Sequence, residues 1–167
     1  MKTLTIRHLT LGSGQPKIAV PLVARDEAAL SAALKNLENA CFDIIEFRAD
    51  YFAQAGNPEY LLTQAATVRR AFSETPLLFT FRRTEEGGEY PCSKAYYFEL
   101  LDKAAASGII DIIDIELSAG ESEVRQAVAA AKAHNTAVLM SNHDFHQTPA
   151  KSDITGRLKK MEEAGAD

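Results

Sequence analysis

Ile109-Ile110-Asp111-Ile112-Ile113-Asp114-Ile115-Glu116 is a run of aliphatic residues that closes on two carboxylates. Short runs of this kind, rich in β-branched residues, are typical of strands buried in parallel sheets. Four further runs in the chain also end in charged or hydrogen-bonding side chains, at residues 18–23, 42–48, 77–82 and 137–144. An unpaired charge is costly to bury, so these strand ends need partners or a ligand.

Segments with helical periodicity separate the apolar runs. They predict helices at residues 26–40, 57–72, 93–108, 124–134 and 154–164. Asn57 and Ser93 are suitable N-cap residues, and Gly108, Asn135 and Gly165 are suitable C-terminal stops. Residues 3–11, ahead of Gly12-Ser13-Gly14, predict a small hairpin outside this repeat.

Alternating strands and helices predict an α/β fold with a parallel sheet and right-handed crossovers. Both a doubly wound sheet and part of a (β/α)₈ barrel fit this order. A dinucleotide-binding sheet would place glycines after its first strand, but the sequence there is Ala24-Arg25-Asp26-Glu27. The barrel is therefore favoured. A whole barrel typically needs about 250 residues, so the expectation is one domain over residues 1–167 with five of the eight units, an incomplete barrel.

The composition excludes several classes of function. A net charge of −5 disfavours nucleic acid as a partner. No apolar stretch reaches the roughly 20 residues of a membrane span, and the N-terminus does not resemble a secretory signal. Cys41 and Cys92 lack the spacing of a zinc site, and both are predicted to be inert packing residues of a cytoplasmic protein.

Polar residues at the predicted strand ends are the candidates for chemistry. Because residues i and i+2 share a face of a strand, the pairs that should point the same way are Glu46 with Arg48, Thr80 with Arg82, and Asp114 with Glu116. If the strands are adjacent, these groups converge on one rim, either as a structural ion-pair network or as an active site. His143, directly after the last run, is the best candidate for a general acid–base. The alternative is a histidine satisfied within the core.

Two further features carry weaker signals. His143 and His146 have a spacing that a metal site could use, but no third ligand is evident. His8 and His134 are predicted at the surface. Residues 85–89 predict a flexible loop, a common location for functional groups.

Four motifs together resemble the type I 3-dehydroquinate dehydratase family, in order and across essentially the whole chain. They are Glu46-Phe47-Arg48-Ala49-Asp50, Phe79-Thr80-Phe81-Arg82 with Glu86-Gly87-Gly88-Glu89, Asp114-Ile115-Glu116-Leu117, and residues 141–149 around His143. The resemblance implies a (β/α)₈ barrel of the shikimate pathway that removes water from 3-dehydroquinate to give 3-dehydroshikimate. A lysine of the family forms a Schiff base with the substrate ketone, and the iminium stabilises the neighbouring carbanion.

By the same resemblance, His143 would be the acid–base catalyst and Glu86 would orient it. Glu46, Arg48 and Arg82 would bind the substrate, 3-dehydroquinate. The resemblance implies no metal and no organic cofactor, and it leaves a family-like homodimer open. The net charge and the short apolar runs already disfavour a nucleic-acid or membrane partner. Pro21 departs from the serine that many relatives carry there, so a substrate contact of the family is not expected from it.

The Schiff-base lysine of the family follows a Gly-Ala-Asp, and this chain ends at Gly165-Ala166-Asp167. We therefore expect the chain to lack this lysine and to be inactive alone. The alternative is a non-catalytic half-barrel that binds a partner or a second copy of itself. A metal-dependent barrel hydrolase is a third hypothesis.

Overall fold

The computed structural model describes residues 3–167. An antiparallel hairpin of β1 (Leu4–Ile6) and β2 (Leu9–Leu11) comes first. Five further strands follow: β3 (Ala19–Leu22), β4 (Ile44–Arg48), β5 (Leu77–Thr80), β6 (Ile112–Glu116) and β7 (Ala137–Ser141). The helices between and after them are α1 (Glu27–Leu37), α2 (Pro58–Ala71), α3 (Lys94–Ala106), α4 (Glu121–Ala133) and α5 (Lys151–Ala164).

The five long strands form one parallel sheet in the order β3-β4-β5-β6-β7. Each βα unit therefore adds its strand beside the previous one, and the sheet grows in one direction. A doubly wound sheet would need a reversal of this order, so the sheet topology agrees with the barrel alternative. The predicted α/β fold with five parallel strands is confirmed, although β5 ends at Thr80 and β6 begins only at Ile112.

The helices form a layer on one face of the sheet, each packed against the next. Asp26, Asn57 and Ser93 cap the first three by accepting hydrogen bonds from backbone N–H groups three residues ahead. Gly108, Asn135 and Gly165 follow the ends of α3, α4 and α5, as predicted. The strands direct alternate apolar side chains towards this layer, where Phe47, Phe79, Ile113 and Ile115 are completely buried among helix residues.

The opposite face of the sheet changes character along the strands. At the amino ends Ile44, Leu78 and Ile112 pack against Ile6 and Leu9 of the hairpin. Two to four residues further on, the same face carries Glu46, Arg48, Thr80, Asp114 and Glu116. The hairpin thus covers the apolar end of this face, and the charged residues lie at the carboxyl end.

Asp111 is a carboxylate of the apolar runs that lies at the opposite end of the sheet, just before β6. It pairs with Arg7 and Arg69 and accepts a hydrogen bond from the backbone N–H of Leu77. Arg69 also donates to the carbonyls of Phe72, Ser73 and Thr75. Asp111 therefore fastens β5 to the end of α2 and has no contact with the charged rim. In residues 3–167, no helix combines the length and apolarity that a bilayer crossing requires.

Candidate active site

Arg82 is the centre of a buried polar network at the carboxyl ends of the strands. It lies two residues beyond β5 and is 7% exposed. Its guanidinium donates to Asp114, to Glu116 at 3.1 Å and to the Ser141 hydroxyl at 2.7 Å. Three adjacent strands thus meet on one cation, and the predicted convergence of strand-end charges is present in this part of the rim.

A second arginine, Arg83, shares the same carboxylate. Glu116 is fully buried and accepts the Arg83 backbone N–H at 2.9 Å and its Nε at 2.7 Å. The Arg83 guanidinium lies over the ring of Tyr97, whose hydroxyl accepts the Glu116 backbone N–H at 2.9 Å. One buried carboxylate therefore holds two arginines together, which explains how these charges are tolerated in a dry environment.

Asp114 is less completely paired than Glu116. Its Oδ2 contacts Arg82, but its Oδ1 has no hydrogen-bond partner among the described residues. The buried Oγ1 of Thr80 also has none among them. Burial raises the pKa of Asp114 to about 6, because removal from water outweighs the attraction of Arg82. This carboxyl group therefore titrates well above an ordinary aspartate.

Glu86 and His143 form the most directed contact of the site. Glu86 is 3% exposed, and its Oε2 lies 2.9 Å from both the backbone nitrogen and the Nδ1 atom of His143. Its other oxygen, Oε1, accepts hydrogen bonds from the Ser118 hydroxyl at 2.5 Å and the Asn142 amide at 3.1 Å. Burial opposes the charge of Glu86, but the hydrogen bonds from Ser118 and His143 hold its pKa below the ordinary value.

The ionised Glu86 determines which ring nitrogen of His143 carries the proton. A carboxylate can only accept, so Nδ1 must be the donor of their 2.9 Å hydrogen bond. Nε2 is then the basic nitrogen of the neutral ring, available to take or return a proton. The His143 side chain is 37% exposed and stacks on Phe145. It is therefore not a core histidine, and that alternative is wrong.

A tight turn fixes the position of Glu86 behind β5. Gly87 has φ +82° and follows the short helical turn Thr84–Glu86. A Cβ on Gly88 would lie 1.8 Å from the Arg82 carbonyl oxygen, so only glycine fits this close approach of two backbones. The predicted flexible loop at residues 85–89 is wrong for Glu86, because this turn and four hydrogen bonds hold its side chain.

Glu46 and Arg48 form a separate group on β4. Arg48 makes two 2.9 Å hydrogen bonds to Asp50 and lies 4.7 Å from the ring centroid of Tyr51. Asp50 is buried and also accepts from the backbone N–H of Glu89 at 3.3 Å, which links β4 to the loop after Glu86. Glu46 is half-buried beside Arg48. This group borders the network of Arg82 without an ion pair to it among the described residues.

The remaining histidines and the cysteines are peripheral. Within residues 3–167, no group of three His, Cys, Asp or Glu side chains could hold a metal ion, so His146 does not join His143 in such a cluster. His8 and His134 are exposed, as predicted. Cys41 is exposed and Cys92 is half-buried, so the prediction that both are packing residues is wrong for Cys41, which lies in the exposed segment after α1.

Known proteins match the chain over nearly its whole length. The family model for type I 3-dehydroquinase matches residues 18–167. The chain belongs to the type I 3-dehydroquinase family. It is 54% identical to the 3-dehydroquinate dehydratase of Neisseria meningitidis serogroup A over 164 residues, 98% of this chain and 65% of that protein. Identity to the 3-dehydroquinate dehydratase of Salmonella typhimurium is 45%, over all of this chain and 66% of the relative.

A solved type I 3-dehydroquinase has nearly the same fold. The 3-dehydroquinate dehydratase of Clostridium difficile, crystallised with covalently modified comenic acid, superposes with a TM-score of 0.96 at 37% identity. That match covers 99% of this chain and 65% of the other. The chain thus spans slightly less than two thirds of the length of the first relatives it matches. The family model begins at Ile18, so the hairpin lies outside the segment that defines the type I 3-dehydroquinase match.

Several site residues were not predicted individually. Arg83, Ser118 and Asn142 all contact Glu86 or Glu116, and Tyr97 supports the backbone of β6. Arg83 and Asn142 adjoin predicted residues of the type I 3-dehydroquinase motifs, so their position next to Arg82 and His143 was an available signal. Ser118 and Tyr97 carried no such signal, because a serine in a turn and a tyrosine on an apolar helix face are ordinary.

Proposed function

We propose that residues 3–167 supply the substrate-binding and acid–base groups of a 3-dehydroquinate dehydratase, the reaction named for the relatives. The single observation that carries this proposal is the pair of Glu86 and His143, with its Nδ1–Oε2 distance of 2.9 Å. A histidine whose tautomer is fixed by a carboxylate is the usual arrangement for moving protons at neutral pH.

Dehydration needs a proton removed beside a ketone and a hydroxyl group expelled as water. His143 Nε2 would take and return these protons, while Glu86 holds Nδ1–H. Arg48 and Glu46 supply a cation and a carboxylate for the hydroxyl and carboxylate groups of 3-dehydroquinate. Arg82 is committed to Asp114, Glu116 and Ser141. Arg82 would then contribute to substrate binding through its positive charge at the rim.

Binding of 3-dehydroquinate to the chain tests this proposal directly. In an NMR titration, we expect the ligand to shift the signals of Glu46, Arg48 and His143. Arg48→Met should weaken binding by about tenfold or more, since a hydrogen bond to a charged group contributes roughly 1.5–3 kcal/mol. Arg70→Met, on the exposed face of α2, is the matched control. Equal affinity of both variants would refute the binding role of Arg48.

Schiff-base formation is a separate step of the proposed reaction. Every lysine between residues 3 and 167 lies on a helix or, for Lys17, in the segment before β3, and none ends a strand on the charged rim. We therefore expect borohydride reduction in the presence of 3-dehydroquinate to leave these lysines unmodified in a mass spectrum. An adduct on any of them would contradict this part of the proposal and identify the nucleophile.

We further propose that the five βα units over residues 1–167 are one domain and five of the eight units of a (β/α)₈ barrel.

A non-catalytic assembly module is the second candidate function. The observation that favours it is a mostly apolar cavity of about 650 Å³ between the hairpin, β7 and α5, which the exposed side chains of Leu139 and Leu158 help to line. If the NMR signals of Glu46, Arg48 and His143 do not shift when 3-dehydroquinate is added, and light scattering gives the mass of a dimer, the assembly module is the better candidate. A family-like homodimer that binds the ligand fits the first proposal.

A further inference from the structure

The hydroxyl of Ser118 lies between the buried arginine network and the Glu86–His143 pair. Its Oγ is 3.1 Å from an Nη atom of Arg83 and 2.5 Å from Oε1 of Glu86. Ser118 belongs to the short turn Leu117–Ala119 after β6, while Glu86 follows β5 and His143 follows β7. The hydroxyl thus joins the turn after β6 to two groups that follow β5, and it reaches His143 at the end of β7 only through Glu86.

The chemistry of these neighbours fixes the direction of both hydrogen bonds. A guanidinium has donors and no acceptor, so Ser118 must accept from Arg83. An ionised carboxylate has acceptors and no donor, so the Ser118 hydroxyl donates its single proton to Glu86. Arg83 cannot turn away easily, because Nε and the backbone N–H are both bound to Glu116, which is fully buried.

We propose that Ser118 is a positioning residue, which holds the Glu86 carboxylate in the ionised and oriented state that His143 requires. Ser118 acts through Glu86 and touches neither His143 nor any proposed substrate group. This inference deepens the proposed function and rests on it for its catalytic meaning, although the contact itself can be tested without substrate.

The charged groups around Glu86 support this role. His143 contacts Oε2, and Asn142, which is itself bound to Arg157 of α5, contacts Oε1. Arg83 reaches Glu86 only through Ser118, and the other carboxylates of Arg83 are Glu116 and the exposed Glu85. Ser118 therefore links Arg83 to Glu86 and donates its proton to the carboxylate. After the opposing effect of burial, it is also the largest influence on the pKa of Glu86.

A pair of variants isolates the hydroxyl. Ser118→Thr keeps it, and Ser118→Val replaces it with a methyl group of similar shape; Ser118 is exposed, so either side chain has room. The measurement is the titration midpoint of the Glu86 side-chain carboxyl carbon by NMR. We expect the Val variant to raise this midpoint by about half to one pH unit, and the Thr variant to keep that of the original protein.

Two controls complete the experiment. Ser122→Ala removes an exposed hydroxyl on α4 that contacts Gln126, and it should leave the midpoint unchanged. Ser118→Ala should behave like Ser118→Val. Equal midpoints for the Thr and Val variants would overturn the proposal. The Glu86 midpoint could rise in Ser118→Val although the original protein does not bind 3-dehydroquinate. That result would support the effect of Ser118 on Glu86 and would contradict only the proposed function.

Discussion

Glu116→Ala should lower the free energy of unfolding by about 3–5 kcal/mol, the loss typical of breaking a buried ion pair from one side. The fully buried carboxylate binds Arg82 at 3.1 Å and Arg83 through its Nε and backbone N–H. Without it, Arg82 keeps Asp114 and Ser141, but Arg83 keeps the exposed Glu85, the Ser118 hydroxyl and the ring of Tyr97, with no buried carboxylate. The stability is lost because the arginine charges remain buried without this carboxylate. This loss is larger than the net stabilisation that the intact ion pairs contribute to the fold.

Urea unfolding followed by circular dichroism measures this effect. Glu116→Gln keeps the shape and one acceptor oxygen, so its loss should be smaller than that of Glu116→Ala. Glu121→Ala, at the exposed start of α4, is the matched control and should change stability by less than about 0.5 kcal/mol. If the Ala variant of Glu116 unfolds at the same urea concentration as the original, the network does not stabilise the fold in this way.

Asp114 should make the protein lose stability as the pH rises from about 4 to about 7. Its pKa is about 6 in the fold, against about 4 for an aspartate in an unfolded chain. Between these values the folded state binds more protons than the unfolded state. The stabilisation is therefore complete below the unfolded pKa and is lost as the pH passes the folded one. A difference of about two pH units corresponds to about 3 kcal/mol.

The variant Asp114→Asn separates this contribution from all others. The lowered pKa of Glu86 acts in the opposite direction, but both proteins share it, so it cancels in the difference between their stability curves. Between pH 4 and pH 7, we expect the free energy of unfolding of Asp114→Asn to rise by about 2–3 kcal/mol relative to that of the original protein. For the control Asp102→Asn, at an exposed position of α3, the curve of stability against pH should run parallel to that of the original protein. Parallel curves for Asp114→Asn would mean that Arg82 keeps Asp114 ionised throughout.

The sheet and helices could be predicted because their signals are local. The aliphatic runs are buried on the helix side, and Asn57 and Ser93 cap helices through atoms only three residues away. Strand ends were less accurate: the run at residues 77–82 continues past β5, because Arg82 leaves the strand to reach Asp114 and Glu116.

The partners within the site could not be predicted in the same way. Alternation placed Asp114 and Glu116 on one face, and both meet Arg82 there. The division of Glu116 between two arginines depends on distances between the ends of β5 and β6, which no local pattern records. Ser118 likewise acquires its role only because the turn after β6 approaches that after β5. Glu86 seemed to belong to a flexible acidic loop because its hydrogen-bond donors come from residues 32 to 57 positions further along the chain.

The close approach at Gly88 has a consequence for how the family can vary. The turn from Arg82 to Gly88 brings backbone against backbone and also carries both Arg82 and Glu86. Any residue inserted or removed within it would rotate Glu86 away from His143 while leaving Arg82 in place. We expect differences in loop length among homologues to fall after Glu89, where the chain leads into α3, and to spare the seven positions before it.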